Sequence, residues 1–93
     1  MKGITRIKKD LLKLIVALEA AQHTEAATKL RRSMEDLDQE DSCLLALEEI
    51  SGLCHIRGLG DMYMPEFSGW DWPNKVGELK QKCQRAIKRI KQA

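Results

Sequence analysis

The aromatic residues of this 93-residue chain are confined to one short stretch, and the remaining positions contain none. The stretch lies in a longer segment, 53–74, that holds both prolines and shows no helical periodicity. Loops of this length are uncommon in small domains and are usually either functional or compactly packed. We therefore look for function in this segment. Its aromatic residues are Tyr63, Phe67, Trp70 and Trp72.

Before this segment, apolar residues recur at intervals of three and four, which is typical of one face of an α-helix. The spacing predicts a first helix from Ile4 to Ala21, with a break over 22–24. Thr24 is a favourable N-cap for a second helix, whose last apolar residue is Leu37. The two helices are therefore predicted to be joined by a short turn.

The third and fourth helices are predicted from the same spacing. Ser42, or Asp41 before it, caps the third helix, which ends at Ser51 with Gly52 in a left-handed position. The fourth helix carries Pro73 in its first turn, where the missing N–H costs nothing. The predicted buried face of the third helix consists of Leu44, Leu45, Leu47 and Ile50, and that of the fourth of Val76, Leu79, Cys83, Ile87 and Ile90.

These elements predict an all-α fold. The simplest architecture is a four-helix antiparallel bundle whose third connection is the long aromatic-rich loop. A chain of this length is predicted to form one helical domain over residues 1–93.

Two classes of protein are disfavoured by the composition. The longest apolar run, 14–18, is far shorter than the roughly 20 residues of a membrane span, and no signal peptide is evident. The cysteines Cys43, Cys54 and Cys83 are odd in number and form no C-x-x-C pair, which argues against a disulfide scaffold. Reduced thiols indicate a cytoplasmic protein.

Enzymatic residues cannot be assembled from this sequence. Cys54 and His55 are adjacent, and neighbouring side chains do not normally point at one another, so they do not predict a catalytic pair. The glycines at 58 and 60 lack the third glycine and the lysine of phosphate-binding loops. No spacing matches a metal site. We therefore expect no catalysis, no metal and no cofactor.

The net charge is only +2, but the charged residues are unevenly distributed along the chain. Residues 34–61 carry eight acids and one base, whereas residues 75–91 carry seven bases and one acid. The basic fourth helix supports one alternative function, a small nucleic-acid-binding regulator that contacts phosphates through Arg85, Lys88 and Arg89.

The aromatic loop permits two interpretations. Phe67, Trp70 and Trp72 can fold back as a plug over one end of the core. Alternatively, some aromatic side chains form an exposed anchor for a protein partner, because Trp and Tyr dominate interface hot spots. Acids flank the aromatic residues, which favours a basic partner. The residues predicted to contact it are Tyr63, Glu66, Trp70, Asp71 and Trp72.

The segment Ile56–Tyr63 contains a Gly-X-Gly turn followed directly by Asp61. It resembles a segment between two helices of small bacterial helical proteins, some of which are immunity proteins that bind and block a toxin. The resemblance implies an immunity- or antitoxin-type inhibitor of a basic toxin. The acidic patch at 35–41 would then meet the toxin together with the aromatic loop. A further alternative is a homodimeric structural protein whose loop covers the bundle of a second copy.

Overall fold

The computed structural model describes residues 2–39, 41–54, 58–67 and 69–92. Within these ranges the chain is an all-α helical bundle without strands, which confirms the predicted fold class. A short 3₁₀ turn, Leu59–Asp61, lies in the third connection. The four α-helices are α1 Lys2–Ala20, α2 Thr24–Asp36, α3 Cys43–Leu53 and α4 Asp71–Gln92.

The break between α1 and α2 is a helix-ending motif built around Gln22. This residue has a positive φ of 67°, the left-handed conformation usually supplied by glycine. The amide of His23 donates to the carbonyl of Leu18 at 2.8 Å, and the amide of Gln22 donates to that of Glu19 at 3.0 Å. These two bonds satisfy carbonyls that the end of α1 would otherwise leave unpaired.

Helix α2 begins differently from the prediction. His23, not Thr24, occupies the N-cap position, and no side chain caps the helix there. The His23 carbonyl accepts the first helical bond, from Ala27 at 3.1 Å, while its own backbone is non-helical. Thr24 lies one residue inside, where its carbonyl accepts a bond from the Thr28 hydroxyl at 2.8 Å.

Helix α3 also departs from the prediction at its end and on its buried face. It continues through Gly52 to Leu53, so Gly52 is helical. Leu45 is 60% exposed, because the inner face of α3 passes through Ala46, Leu47 and Ile50. The prediction that Leu45 is buried is therefore wrong, and a leucine points to solvent there.

The helices pack in a ring. α1 contacts α2 and α4, and α3 contacts α2 and α4. The 3₁₀ turn packs against α4. Aliphatic side chains fill the centre, with ten of the largest essentially inaccessible to solvent: Ile7, Leu11, Ile15, Leu18, Leu30, Leu47, Ile50, Leu79, Cys54 and Cys83.

Candidate functional site

Trp72 fixes the aromatic loop to the helices. Its side chain is 2% exposed, and its indole N–H donates to the carbonyl of Leu59 at 2.6 Å. The ring of Phe67 lies against it, with centroids 5.3 Å apart and planes tilted by 59°. This tilted geometry is favourable for aromatic pairs. One side chain at the start of α4 therefore holds two separate parts of the loop.

A second attachment joins the loop to the turn between α1 and α2. The Nε2 atom of His23 lies 2.7 Å from the carbonyl oxygen of Tyr63, and because a carbonyl can only accept, the imidazole donates. Next to it, the side chain of Met64 is buried, and its carbonyl accepts the amide of Phe67 at 3.0 Å. The backbone from the Tyr63 carbonyl onward is thus held in place.

Two aromatic side chains nevertheless point to solvent. Tyr63 is 79% exposed and Trp70 is 75% exposed. The carbonyl of Trp70 accepts the first helical bond of α4, from Asn74 at 2.9 Å, so its backbone is ordered by the helix. Large apolar rings on a held backbone are a feature of binding surfaces rather than of cores.

The structure separates the predicted contact residues into two groups. Tyr63, Glu66, Trp70 and Asp71 are exposed. Trp72 is buried, so it is not among the exposed residues. Of the three residues in the plug interpretation, Trp72 is buried and packs against Phe67, whereas Trp70 is exposed.

A surface hollow of about 500 Å³ lies where the loop meets the helices. Leu53, Leu59 and Met62 supply its apolar lining, while His23 and Lys29 supply polar groups. Sequence reasoning missed this hollow because its walls come from three distant segments. Met62 directly precedes the exposed Tyr63, so the hollow and that ring belong to one surface.

The acidic turn between α2 and α3 lies at the other end of α1. Lys8 pairs with Asp38 at 2.5 Å, near a hollow lined by Ile4, Leu37 and Ile90. The aromatic loop instead contacts residues 17–21, at the end of α1. Twelve residues separate Lys8 from Ala20, or about 18 Å along a helix. The acidic turn therefore does not share a surface with the aromatic loop.

The three cysteine thiols are poorly nucleophilic. Burial raises the pKa of Cys54 and the pKa of Cys83 to about 12, and burial also raises the pKa of Cys43. A thiol with a raised pKa stays protonated and is a poor nucleophile at neutral pH. No group of three or more His, Cys, Asp or Glu side chains within the described ranges is arranged to hold a metal.

The described part of the chain also contains no helix that combines the length and the apolar character needed to cross a bilayer. On α4, the predicted phosphate-contacting residues Arg85, Lys88 and Arg89 are all exposed. They lie on the solvent side of α4, outside the aromatic loop.

Comparison with protein-family models, curated proteins and solved structures found no match for this chain. Of the segment 56–63, which was compared with immunity proteins, Ile56 and Arg57 lie outside the described residues, as does the neighbouring His55. Gly58 directly precedes the 3₁₀ turn, and Leu59, Gly60 and Asp61 form it. The function of this chain is therefore inferred from its own geometry.

Proposed function

We propose that this chain is a non-enzymatic module that binds another protein through the surface formed by Tyr63, Trp70 and the adjacent hollow. The observation that carries the proposal is the exposure of two large aromatic rings on a backbone fixed by Trp72 and His23. A preorganised surface loses little conformational entropy on binding, so its contacts translate efficiently into affinity.

The chemistry of the surface favours a partner with an apolar protrusion and a basic rim. Leu53, Leu59 and Met62 can accept an apolar side chain. Glu25 at the edge of the hollow and Glu66 in the loop offer carboxylates to cations. A basic toxin, of the kind blocked by the immunity proteins that segment 56–63 resembles, would supply the basic rim. The acidic turn is left out of the contact because it lies at the other end of α1.

We propose that the helices supporting this surface form an antiparallel four-helix bundle. We also propose that the protein is cytoplasmic. Lys8 near the start of α1 pairs with Asp38 after α2, and Glu19 near the end of α1 pairs with Arg31 at 2.5 Å. Asp10 of α1 pairs with Lys82 in the second half of α4. The first two pairs are those expected if α1 and α2 run in opposite directions, and the third joins α4 to α1.

Affinity capture with the immobilised chain tests the proposal. We expect one specific protein from the producing cells to be retained, and its purified form to bind at least about 30-fold more weakly to Trp70→Ala or Tyr63→Ala, as for a hot spot. Leu45→Ala is the matched control, because it removes an apolar side chain that is also largely exposed, at 60%, from α3. Equal binding by all three variants would show that the aromatic residues are not the anchor.

A further inference from the structure

The basic residues of α4 continue across the molecule onto α1. The ion pair between Asp10 and Lys82 joins the two helices. On α1, Arg6 and Lys13 are four and three residues from Asp10, so they lie on the same flank. On α4, Arg85 is three residues from Lys82 and therefore lies beside it, on the exposed side of that helix. Arg89, seven residues from Lys82, extends that line.

The helix register brings the arginines to one end of this seam. Ile4 and Ile90 line the same hollow, while Asp10 pairs with Lys82, so α1 and α4 run in opposite directions. Arg6 therefore lies opposite the turn 85–89. Three guanidinium groups share that end, from Arg6, Arg85 and Arg89, and all three residues are exposed.

The positive charge of this seam is poorly compensated. Within the part of the chain that the structure describes, the ion-paired cations are Lys8, Lys29, Arg31, Lys82 and Lys91. The three arginines of the seam are not among them, nor are Lys13 and Lys75, which lie farther along the same two flanks. Glu78 is the one acid that the α4 flank adds between Lys75 and Lys82.

We propose that this basic seam, consisting of Arg6, Lys13, Lys75, Arg85 and Arg89, binds the phosphate backbone of double-stranded nucleic acid without reading its sequence. Its length suits a duplex, because positions 75 to 89 span about 21 Å of helix. Guanidinium groups form paired hydrogen bonds with phosphate oxygens, and a line of such cations matches the repeated phosphates of a nucleic-acid backbone.

The position of the exposed apolar residues favours nucleic acid over a lipid surface or a protein. Membrane-surface helices insert apolar side chains, and protein interfaces have an apolar or aromatic centre. On α1, the exposed Leu12 and Val16 follow Lys8 along one stripe that ends at Glu19. Lys8 and Glu19 pair with residues of the α2 side, so the stripe follows the α2 flank of α1. Only Val16, three residues from Lys13, borders the seam.

Salt-dependent binding of a labelled DNA duplex tests the proposal. With about four phosphates contacted, log affinity should fall against log salt with a slope of about −3.6. The triple variant carries Arg6→Gln, Arg85→Gln and Arg89→Gln. We expect its affinity for the duplex at about 50 mM salt to be at least about tenfold lower than that of the parent. The slope of log affinity against log salt should become less negative by about 2–3. The matched control, with the same loss of charge, is Lys29→Gln, Arg32→Gln, Lys91→Gln, which should stay within about threefold of the parent.

Several results would overturn the proposal. They are absence of duplex binding at low salt, equal weakening by both triple variants, and stronger binding to vesicles containing phosphatidylserine than to the duplex. The single reversal Arg85→Glu repeats the test with one exposed substitution, and circular dichroism verifies that each variant is helical. Trp70→Ala should leave duplex binding unchanged, so a failure here is distinguishable from a failure of the protein-binding function.

Discussion

At the scale of single residues, Trp70 and Trp72 occupy opposite environments although one position separates them. Trp72 precedes the buried residues Val76, Leu79 and Cys83 of α4 by four, seven and eleven positions, respectively. This helical spacing places Trp72 on the same buried face of α4. Trp70 falls outside that stripe. The burial of Trp72 was therefore predictable from the sequence, once α4 is extended back to Asp71.

Replacement of Trp72 tests its structural role. Trp72→Phe keeps an aromatic ring but removes the donor to the Leu59 carbonyl and leaves a void. Because a buried carbonyl without a partner costs about 1–3 kcal/mol, we expect the free energy of unfolding to fall by about 2–3 kcal/mol. The matched variant Trp70→Phe should change it by less than about 0.5 kcal/mol. Urea unfolding followed by circular dichroism measures both, and similar losses in the two variants would contradict this assignment.

At the scale of elements, the helices follow from apolar spacing, whereas their ends depend on details that spacing does not encode. Gln22 adopts a left-handed conformation that its residue type does not favour, and the helix break there is set by backbone bonds. Gly52 is a residue type that often ends helices, yet α3 continues through it. The attachment of Tyr63 to His23 joins residues forty positions apart and leaves no local signal.

Helix α4 contains a glycine that the fold does not require. A Cβ atom added at Gly77 meets no atom within 4 Å, and its φ is not positive. Because glycine lowers helix stability relative to alanine, Gly77→Ala should raise the free energy of unfolding by about 0.5–1 kcal/mol. Gly69→Ala is the opposite case: its φ of 57° is unfavourable for alanine, so we expect a loss of about 1–2 kcal/mol. The same urea titration compares them, and a stabilised Gly69→Ala would contradict the loop conformation.

At the scale of the whole molecule, distinct chemistries occupy distinct regions. The aromatic loop and its hollow lie where α1 ends and α4 begins, and the acidic turn lies at the start of α1. The basic seam follows α1 and α4. The segregation of charge along the sequence was visible beforehand. The separation of the acidic turn from the aromatic loop could not be predicted from the sequence, because the packing of the helices determines which segments become neighbours.

Iodide quenching of tryptophan fluorescence tests whether Trp70 is exposed. It is measured in the parent chain and in Trp70→Phe, over a wide range of protein concentration. The difference between the two isolates Trp70. We predict that Trp70 emits at long wavelength and is quenched at every concentration, while the remaining Trp72 emits at short wavelength and is protected. Protection that develops with increasing concentration would assign the loop to a contact between two copies. Protection of Trp70 at all concentrations would contradict an exposed aromatic surface and make the loop a plug of the core.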